Sequence, residues 1–263
     1  MVRLLQLVHI FNFMVNYLMN KLQKFLIALP LSVAFTSSAI AGLISEDFNS
    51  GAPAGVSFYG PSSVINQEAQ LTPSSNSLLG GMSFTDQDNG QLIEAWDANF
   101  DFRIDQNGNG GADGISLTFS RLGDVGAAGE EGLFSGLAIG FDTWSNGEVS
   151  GNHISLRYDG VSLVEQNIST TILENGEVHS TSISMIDGLV SVSLDGTSLF
   201  THDVANWAAY SGQFNFGART GGARSRQVVD NFIGSTVAVP EPSMLAIFGL
   251  ALFGLARRKT VKK

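Results

Sequence analysis

The body of the chain, Gly42 to Val239, predicts an antiparallel all-β domain, a sandwich or a jelly roll. Three observations predict it. Short apolar stretches recur with a period of two, Asn-Gly, Asp-Gly and Gly-Gly pairs lie between them, and convincing amphipathic helices are missing. A period of two is what a strand with one buried face produces, since successive side chains point to opposite sides of the sheet. Asn, Asp and Gly reach positive φ at low cost and so close tight turns.

In chain order the strand candidates are VSFYG (56–60), GISLTFS (114–120), GLAIGFDTW (136–144) and HISLRYDG (153–160). STTILE (169–174), STSISMI (180–186), LVSVSLDG (189–196) and QFNFGART (213–220) follow. ENGE at 174–177 and LDGT at 194–197 read as hairpin turns, and Asp203–Tyr210 as a short helical turn. No repeat of fixed period is present. Val237 to Ser243, with two Pro and no strand pattern, reads as a linker, so the domain is placed at 42–236.

The ends carry addresses. Lys21 and Lys24, the mostly apolar Phe25 to Phe35, and Ala39-Ile40-Ala41 have the layout of a secretory signal peptide with its cut after Ala41. The signal segment is thus 1–41, a helix; Met19 is a natural start, and 1–18 is an over-called start or an extended leader. A permanent N-terminal anchor fits less well, because the apolar run is short for a bilayer and a cleavage site follows it. At the other end Val239-Pro240-Glu241-Pro242-Ser243 precedes the apolar helix MLAIFGLALFGLA (244–256) and Arg257-Arg258-Lys259. This box, helix and basic stop resemble the PEP-CTERM sorting tag of Gram-negative bacteria, assigned to 237–263. The resemblance implies recognition by an exosortase, passage through the inner membrane, and delivery to the cell surface or extracellular matrix. An unprocessed C-terminal anchor is the alternative.

Charge narrows the partners. All Lys lie in the two ends, and the body has six Arg against 23 acids (every acid of the chain except Glu241), a formal −17. Such a surface repels nucleic acid and anionic lipid and tolerates a divalent cation. With no Cys there is no disulfide framework, thiol catalysis or thiolate metal site.

Two stretches carry the functional expectation. One is NGNGGADGISLTFS (107–120); the other is GFDTWSNGEVSGNHISL (140–156), preceded by GLFSG at 132–136. Asp113-Gly114 at a strand start, Phe141-Asp142-Thr143-Trp144-Ser145-Asn146 at a strand end, and His153-Ile154 opening the next strand resemble the L-type (legume-like) lectins. FNFGARTGG…VVDNFIG resembles the closing strands of secreted bacterial domains of the same fold. The resemblance implies a concanavalin A-like jelly roll that binds carbohydrate. In it Asp113 would accept hydrogen bonds from two sugar hydroxyls. Trp144 would lie against the sugar ring, Asn146 would donate its amide, and Gly132 or a neighbour in 129–136 would offer a backbone N–H. Calcium would be held by Asp142, the Trp144 carbonyl and the Asn146 side chain, with Glu148 or Asn152 standing in for a further Asp that the family has. Gly140 stands where plant members carry a Glu that binds a transition metal, so no manganese is expected and His153 lacks its usual partner.

The residues by themselves leave other roles open. Asp113 would also suit a turn cap, Trp144 a core or edge aromatic, and His153 a structural strand end; His179 and His202 read as surface residues. Asp105-x-Asn107-x-Asn109-Gly110 imitates an EF-hand loop, but its twelfth position is Ser116 rather than Glu. No Glu-x-Asp-x-x-Glu run or Gly-x-Ser-x-Gly elbow is present, and Glu130-Glu131 would face opposite sides of a strand. The expectation is a non-catalytic protein that binds exopolysaccharide or other glycans; the alternative is a structural or adhesive matrix protein that has lost sugar binding.

Overall fold

The computed structural model of the chain describes residues 40–105, 111–168 and 173–239. The signal segment up to residue 39, the tail from Pro240 onward, residues 106–110 of the EF-hand-like run and 169–172 of STTILE lie outside these residues. The described residues are all-β, with no helix. In chain order the strands are β1 (Ile40–Glu46), β2 (Val56–Tyr59), β3 (Ser63–Ile65), β4 (Glu68–Thr72), β5 (Leu79–Phe84), β6 (Ile93–Ile104), β7 (Gly114–Arg121) and β8 (Leu137–Asp142). Then come β9 (His153–Tyr158), β10 (Val161–Asn167), β11 (His179–Ile186), β12 (Leu189–Leu194), β13 (Thr197–Asp203), β14 (Gly212–Arg219) and β15 (Gln227–Ala238).

They form two antiparallel sheets. One runs β13-β12-β11-β6-β15-β4-β3, with β1 also on β15; the other runs β10-β9-β8-β7-β14-β5-β2. The long β6 and β15 pair over most of their length. The other edge of β15 is shared, with β4 on Gln227–Val229 and β1 on Phe232–Val237. The core lies between the sheets and is strongly aromatic. On β6 the alternate residues Trp96, Phe100 and Phe102 point inward and meet Phe119, Phe216 and Phe141 at ring separations of 5.5, 4.9 and 4.9 Å. Each buried aromatic removes a large apolar area from water, and tilted or edge contacts suit their ring quadrupoles.

Several expectations are corrected. Leu173 and Glu174 of STTILE are turn residues. ENGE does not join two paired strands, because β11 after it pairs with β6 and β12. Asp203–Tyr210 contains no helix; a bonded turn from Val204 O to Trp207 N and a bridge from Tyr210 to Ile93 take its place. Val237 and Ala238, read as linker, continue β15 because their backbone pairs with β6, and Val239 N still donates to Leu92 O. Pro240 then has no N–H to offer.

What positions the site is the loop 122–136 between β7 and β8. β7 and β8 are buried on both faces. Ile115, Leu117, Ile139 and Phe141 face the core, while the opposite face is covered by this loop. Along that face Gly81, Gly217, Ser116, Gly140 and Ser155 lie opposite one another on β5, β14, β7, β8 and β9. The loop crosses the strands along this row. A Cβ on Gly81 would stand 2.6 Å from Gly126 O, one on Gly217 2.7 Å from Ala128 Cβ, and one on Gly140 2.5 Å from Glu130 O. Ser116 Oγ donates to Gly129 O at 2.7 Å, and Ser155 Oγ to Glu131 Oε2 at 3.0 Å. Small residues are required there because backbone lies directly on backbone.

Candidate functional site

One end of the seven-stranded sheet gathers the residues singled out by sequence. Asp113 precedes β7, Asp142 closes β8, His153 opens β9 and Arg219 closes β14. Ser77 to Leu79, Asp113, Trp144, Asn146 and Arg219 to Ala223 line an open cleft of about 520 Å³. Asp113, Trp144 and Asn146 are therefore brought together from two distant stretches.

Asp113 is fixed from several directions. Its peptide bond with Ala112 is cis. Its N–H donates to Arg219 O at 2.8 Å, and its carbonyl accepts from the Thr143 N–H at 2.8 Å and Thr143 Oγ1 at 3.0 Å. The carboxylate is 4% exposed; Oδ2 accepts from Arg219 Nε at 2.7 Å and Oδ1 from the Gly221 N–H at 3.1 Å. Arg219 also reaches Glu130 Oε1 at 2.8 Å. Burial pushes the Glu130 carboxyl up, against the pull of Arg219. Trp144 is 44% exposed, and Asn146 is also exposed. The indole therefore stands at the cleft rather than in the core.

The other expected ligands are placed differently. Gly132 lies outside this cleft, in an adjoining hollow with Glu130, Glu131 and Phe134; the two hollows meet at Leu79 and Arg219. Its N–H donates to Gly129 O at 3.1 Å. Glu148 accepts from the Asn146 N–H. Asn152 Oδ1 accepts from the Leu173 N–H at 3.0 Å, and its amide nitrogen donates to Glu174 at 3.5 Å. Glu148 is thus engaged within its own loop, and Asn152 with the segment that precedes β11.

Asp142 has different neighbours. Among the described residues, the His and acidic side chains that converge there are Glu131, Asp142 and His153, with one ligand atom of each within 4.8 Å of the others. His153 does have a carboxylate beside it: Glu131 Oε1 lies 3.8 Å from its Nε2. Gly140, which removed one Glu from this position, admits the loop that delivers another. Asp142 Oδ1 accepts from the Trp144 N–H at 2.7 Å, and His153 Nδ1 meets Ser150 O at 2.9 Å. Glu131 Oε2 accepts from Ser155 and Arg157. The second atoms, Glu131 Oε1, Asp142 Oδ2 and His153 Nε2, are buried with no hydrogen-bond partner. Burial drives the Asp142 carboxyl well above its ordinary range, against the Trp144 N–H and the nearby imidazole. For Glu131 burial works in the same direction, but His153, Arg157 and Ser155 outweigh it and hold the group down at about 2. Burial alone would lower His153; Glu131 and Asp142 raise it instead.

His179, expected at the surface, is 5% exposed, with Nδ1 2.8 Å from Asp195 Oδ2 and its ring 5.5 Å from that of Phe102. It sits on the inward side of β11, where the LDGT turn can reach it. Arg219 to Ala223 and Ser77 to Leu79 were not anticipated as cleft residues. The signal for the first was available: a Gly-Gly pair directly after a strand, where backbone must pass close to Asp113.

Comparisons with known proteins agree with this fold. The sequence profile of the legume-like lectin family matches residues 29–172, more than half of the chain. That of the PEP-CTERM protein-sorting motif matches 238–259. No curated protein matches. Among solved structures, the lectin from Bauhinia forficata in complex with GalNAc is similar, with a TM-score of 0.63 and 19% identity over 76% of this chain and 99% of that one. Lectin I-B4 from Griffonia simplicifolia gives 0.62 and 21% over 74% and 99%. The exoplasmic/lumenal domain of VIP36, bound to Ca2+ and Man3GlcNAc, gives 0.57 and 19% over 73% and 89%. At these identities the likeness is one of fold.

Proposed function

The chain belongs to the legume-like lectin family, and from that premise we propose that its domain is a carbohydrate-binding module that is exported and then sorted to the cell surface or matrix. The observation that carries the reading is the convergence of Asp113, Trp144 and Asn146 on one open cleft. Each Asp113 oxygen already accepts one protein donor and keeps a lone pair for a sugar hydroxyl. The exposed indole of Trp144 offers a face to the apolar side of a sugar ring. Asn146 adds an amide, and Thr220 to Ala223 form the opposite rim. The natural ligand would be an exopolysaccharide or another extracellular glycan, since the body's formal −17 disfavours nucleic acid. Binding, not catalysis, is the activity we assign.

Calcium is the finer part of the reading. Asp142, the Trp144 carbonyl and Asn146 are the oxygen donors that would hold it, fixing the loop that presents the indole. Glu148 and Asn152 would have to leave their present partners to complete the shell. For the ends, we read 1–41 as a cleaved signal peptide and 237–263 as the segment that engages the inner membrane and an exosortase; the matched sorting motif supports this.

One observation favours a second reading. Arg219 is bonded to Asp113 at the cleft, as in a structural matrix protein whose pocket has closed around its own ion pair. A glycan array probed with residues 42–239, with and without chelator, separates the two. Retention that is lost in Asp113→Ala and Trp144→Ala supports the lectin. No retained glycan, with both variants behaving as the parent, leaves the structural role.

A further inference from the structure

We propose that cleavage after Ala41 supplies the fold with a cation of its own: the new α-ammonium of Gly42 enters a buried acidic hollow and pairs with Asp88. The inference rests on the reading of 1–41 as a cleaved signal peptide. It is independent of sugar binding, since neither Gly42 nor Asp88 lines the cleft.

β1 is organised around that point. Ile40 pairs with Val237 and Gly42 with Thr236, so Ala41 is an extra residue in the ladder. From Gly42 to Glu46 the pairing with Thr236 to Phe232 runs without interruption, and a cut after Ala41 leaves it whole. Gly42 is buried. A Cβ there would stand 2.9 Å from Asp88 Oδ1 and 2.9 Å from Thr236 Oγ1. The Gly42 nitrogen is two bonds from that Cβ position, so it lies within roughly 5 Å of the Asp88 carboxylate.

Asp88 is a buried carboxylate without a counter-charge. It is 4% exposed, and its Oδ1 accepts from Thr236 Oγ1 at 2.6 Å. Asp86 lies beside it, accepting from the Asp88 and Gly90 N–H groups at 2.8 and 2.6 Å. Among the described residues neither carboxylate is in an ion pair. Burial pushes the Asp88 carboxyl up against the pull of the Thr236 hydroxyl, and the charge of Asp86 adds to the rise. Gly42, Asp86, Asp88 and Thr236 border a hollow of about 10 Å³, with Phe119 and Phe214 also in its wall. That is room for one group the size of a water molecule, such as an ammonium. In the uncut chain the Gly42 nitrogen is a neutral amide with one proton. Hydrolysis of the Ala41–Gly42 bond puts the oxygen of water on the Ala41 carboxyl and leaves Gly42 an amine, which takes up a proton near neutral pH. Three donors and a positive charge then stand within reach of Asp88. The domain gains its full stability only once the leader has gone, so the precursor is the easier form to unfold for export.

For the test, the full chain is expressed in an exporting bacterial host, and the processed protein is purified and its N-terminal peptide weighed. It should begin at Gly42. The body has no Lys, so an amine label at Gly42 is read without interference from the rest of the domain. At neutral pH the Gly42 amine should be acylated at least about tenfold more slowly in folded than in denatured protein, the factor that one unit of raised pKa gives. A second protein carries one Ala inserted between Ala41 and Gly42, which moves the ammonium out of the hollow and should lower the melting midpoint. Asp88→Asn keeps an oxygen for Thr236; it should lower the midpoint of the parent but not that of the extended protein. The proposal is overturned if the exported chain starts elsewhere, if the Gly42 amine reacts equally fast folded and denatured, or if Asp88→Asn costs both proteins the same. A different start removes the processing reading as well, whereas a Gly42 start with an unprotected amine removes only the ion pair.

Discussion

The two ends of β8 make opposite use of buried polar atoms. Where the strand begins, the Gly136 N–H donates to Asp159 Oδ1 at 2.8 Å and the Leu137 N–H to Tyr210 Oη at 3.1 Å. The Tyr210 O–H donates to Phe119 O at 2.7 Å, and Arg121 binds Asp159 Oδ2 at 2.8 Å while lying 4.6 Å from the Tyr210 ring centroid. Where the strand ends, Asp142, His153 and Glu131 each keep one buried atom without a partner. Buried polar groups are ordinarily paired because an unpaired one is costly. The chain thus closes its buried bonds at one end of the strand and leaves three acceptors unpaired at the other.

Substitutions at and around β8 should separate the roles of its two ends. The largest effect is expected from Gly140→Val, since its side chain would strike the loop backbone. A loss of about 1–3 kcal/mol or more is expected in denaturant unfolding. An unchanged stability would mean that the loop does not lie on this strand. Tyr210→Phe comes next at about 1–3 kcal/mol, because Phe119 O and Leu137 N lose their partner; glycan retention should be untouched. Asp142→Asn tests the open end. In chelator-treated protein it should leave stability unchanged or raise it, by up to about 1 kcal/mol, because burial already disfavours the charged form of this carboxyl; with Ca2+ supplied it should be the less stable form.

The smallest effect belongs to Asp159. Burial alone would raise its carboxyl, but Arg121 and the Gly136 N–H outweigh burial and hold it below the ordinary range. A depressed carboxyl stabilises the fold fully above about pH 4. That contribution is lost as pH falls through the folded value. With the pair well exposed to solvent, the loss should be a few tenths of a kcal/mol to about 1, seen as a drop in melting midpoint on acidification that Asp159→Asn lacks.

The β class was legible because the period of two survives wherever one face is buried, and LDGT does close the β12–β13 hairpin. β6 went unread although Trp96, Ala98, Phe100, Phe102 and Ile104 alternate along it, because Asp97, Asn99 and Asp101 on its outer face are poor strand formers. Within the candidate site, Asp113, Trp144 and Asn146 could be named because each belongs to a local motif. Glu131 could not. Its neighbours Asp142 and His153 are 11 and 22 positions away, and only the path of the loop across the sheet brings it to them. Gly140 was read as an absence, the loss of a ligand, when its physical role is to leave space.

The five small residues under that loop also bear on how the sequence can change. Gly81, Gly217, Ser116 and Gly140 meet one length of backbone and Ser155 the Glu131 side chain that it carries, so they form one epistatic unit rather than five independent positions. The first enlargement lifts the loop and carries nearly the whole cost; a second, made where the loop has already left, costs little. Double substitutions in the row should therefore fall far short of the sum of the singles. Drift through this region would then proceed by steps in which one permissive change opens the rest of the floor at once.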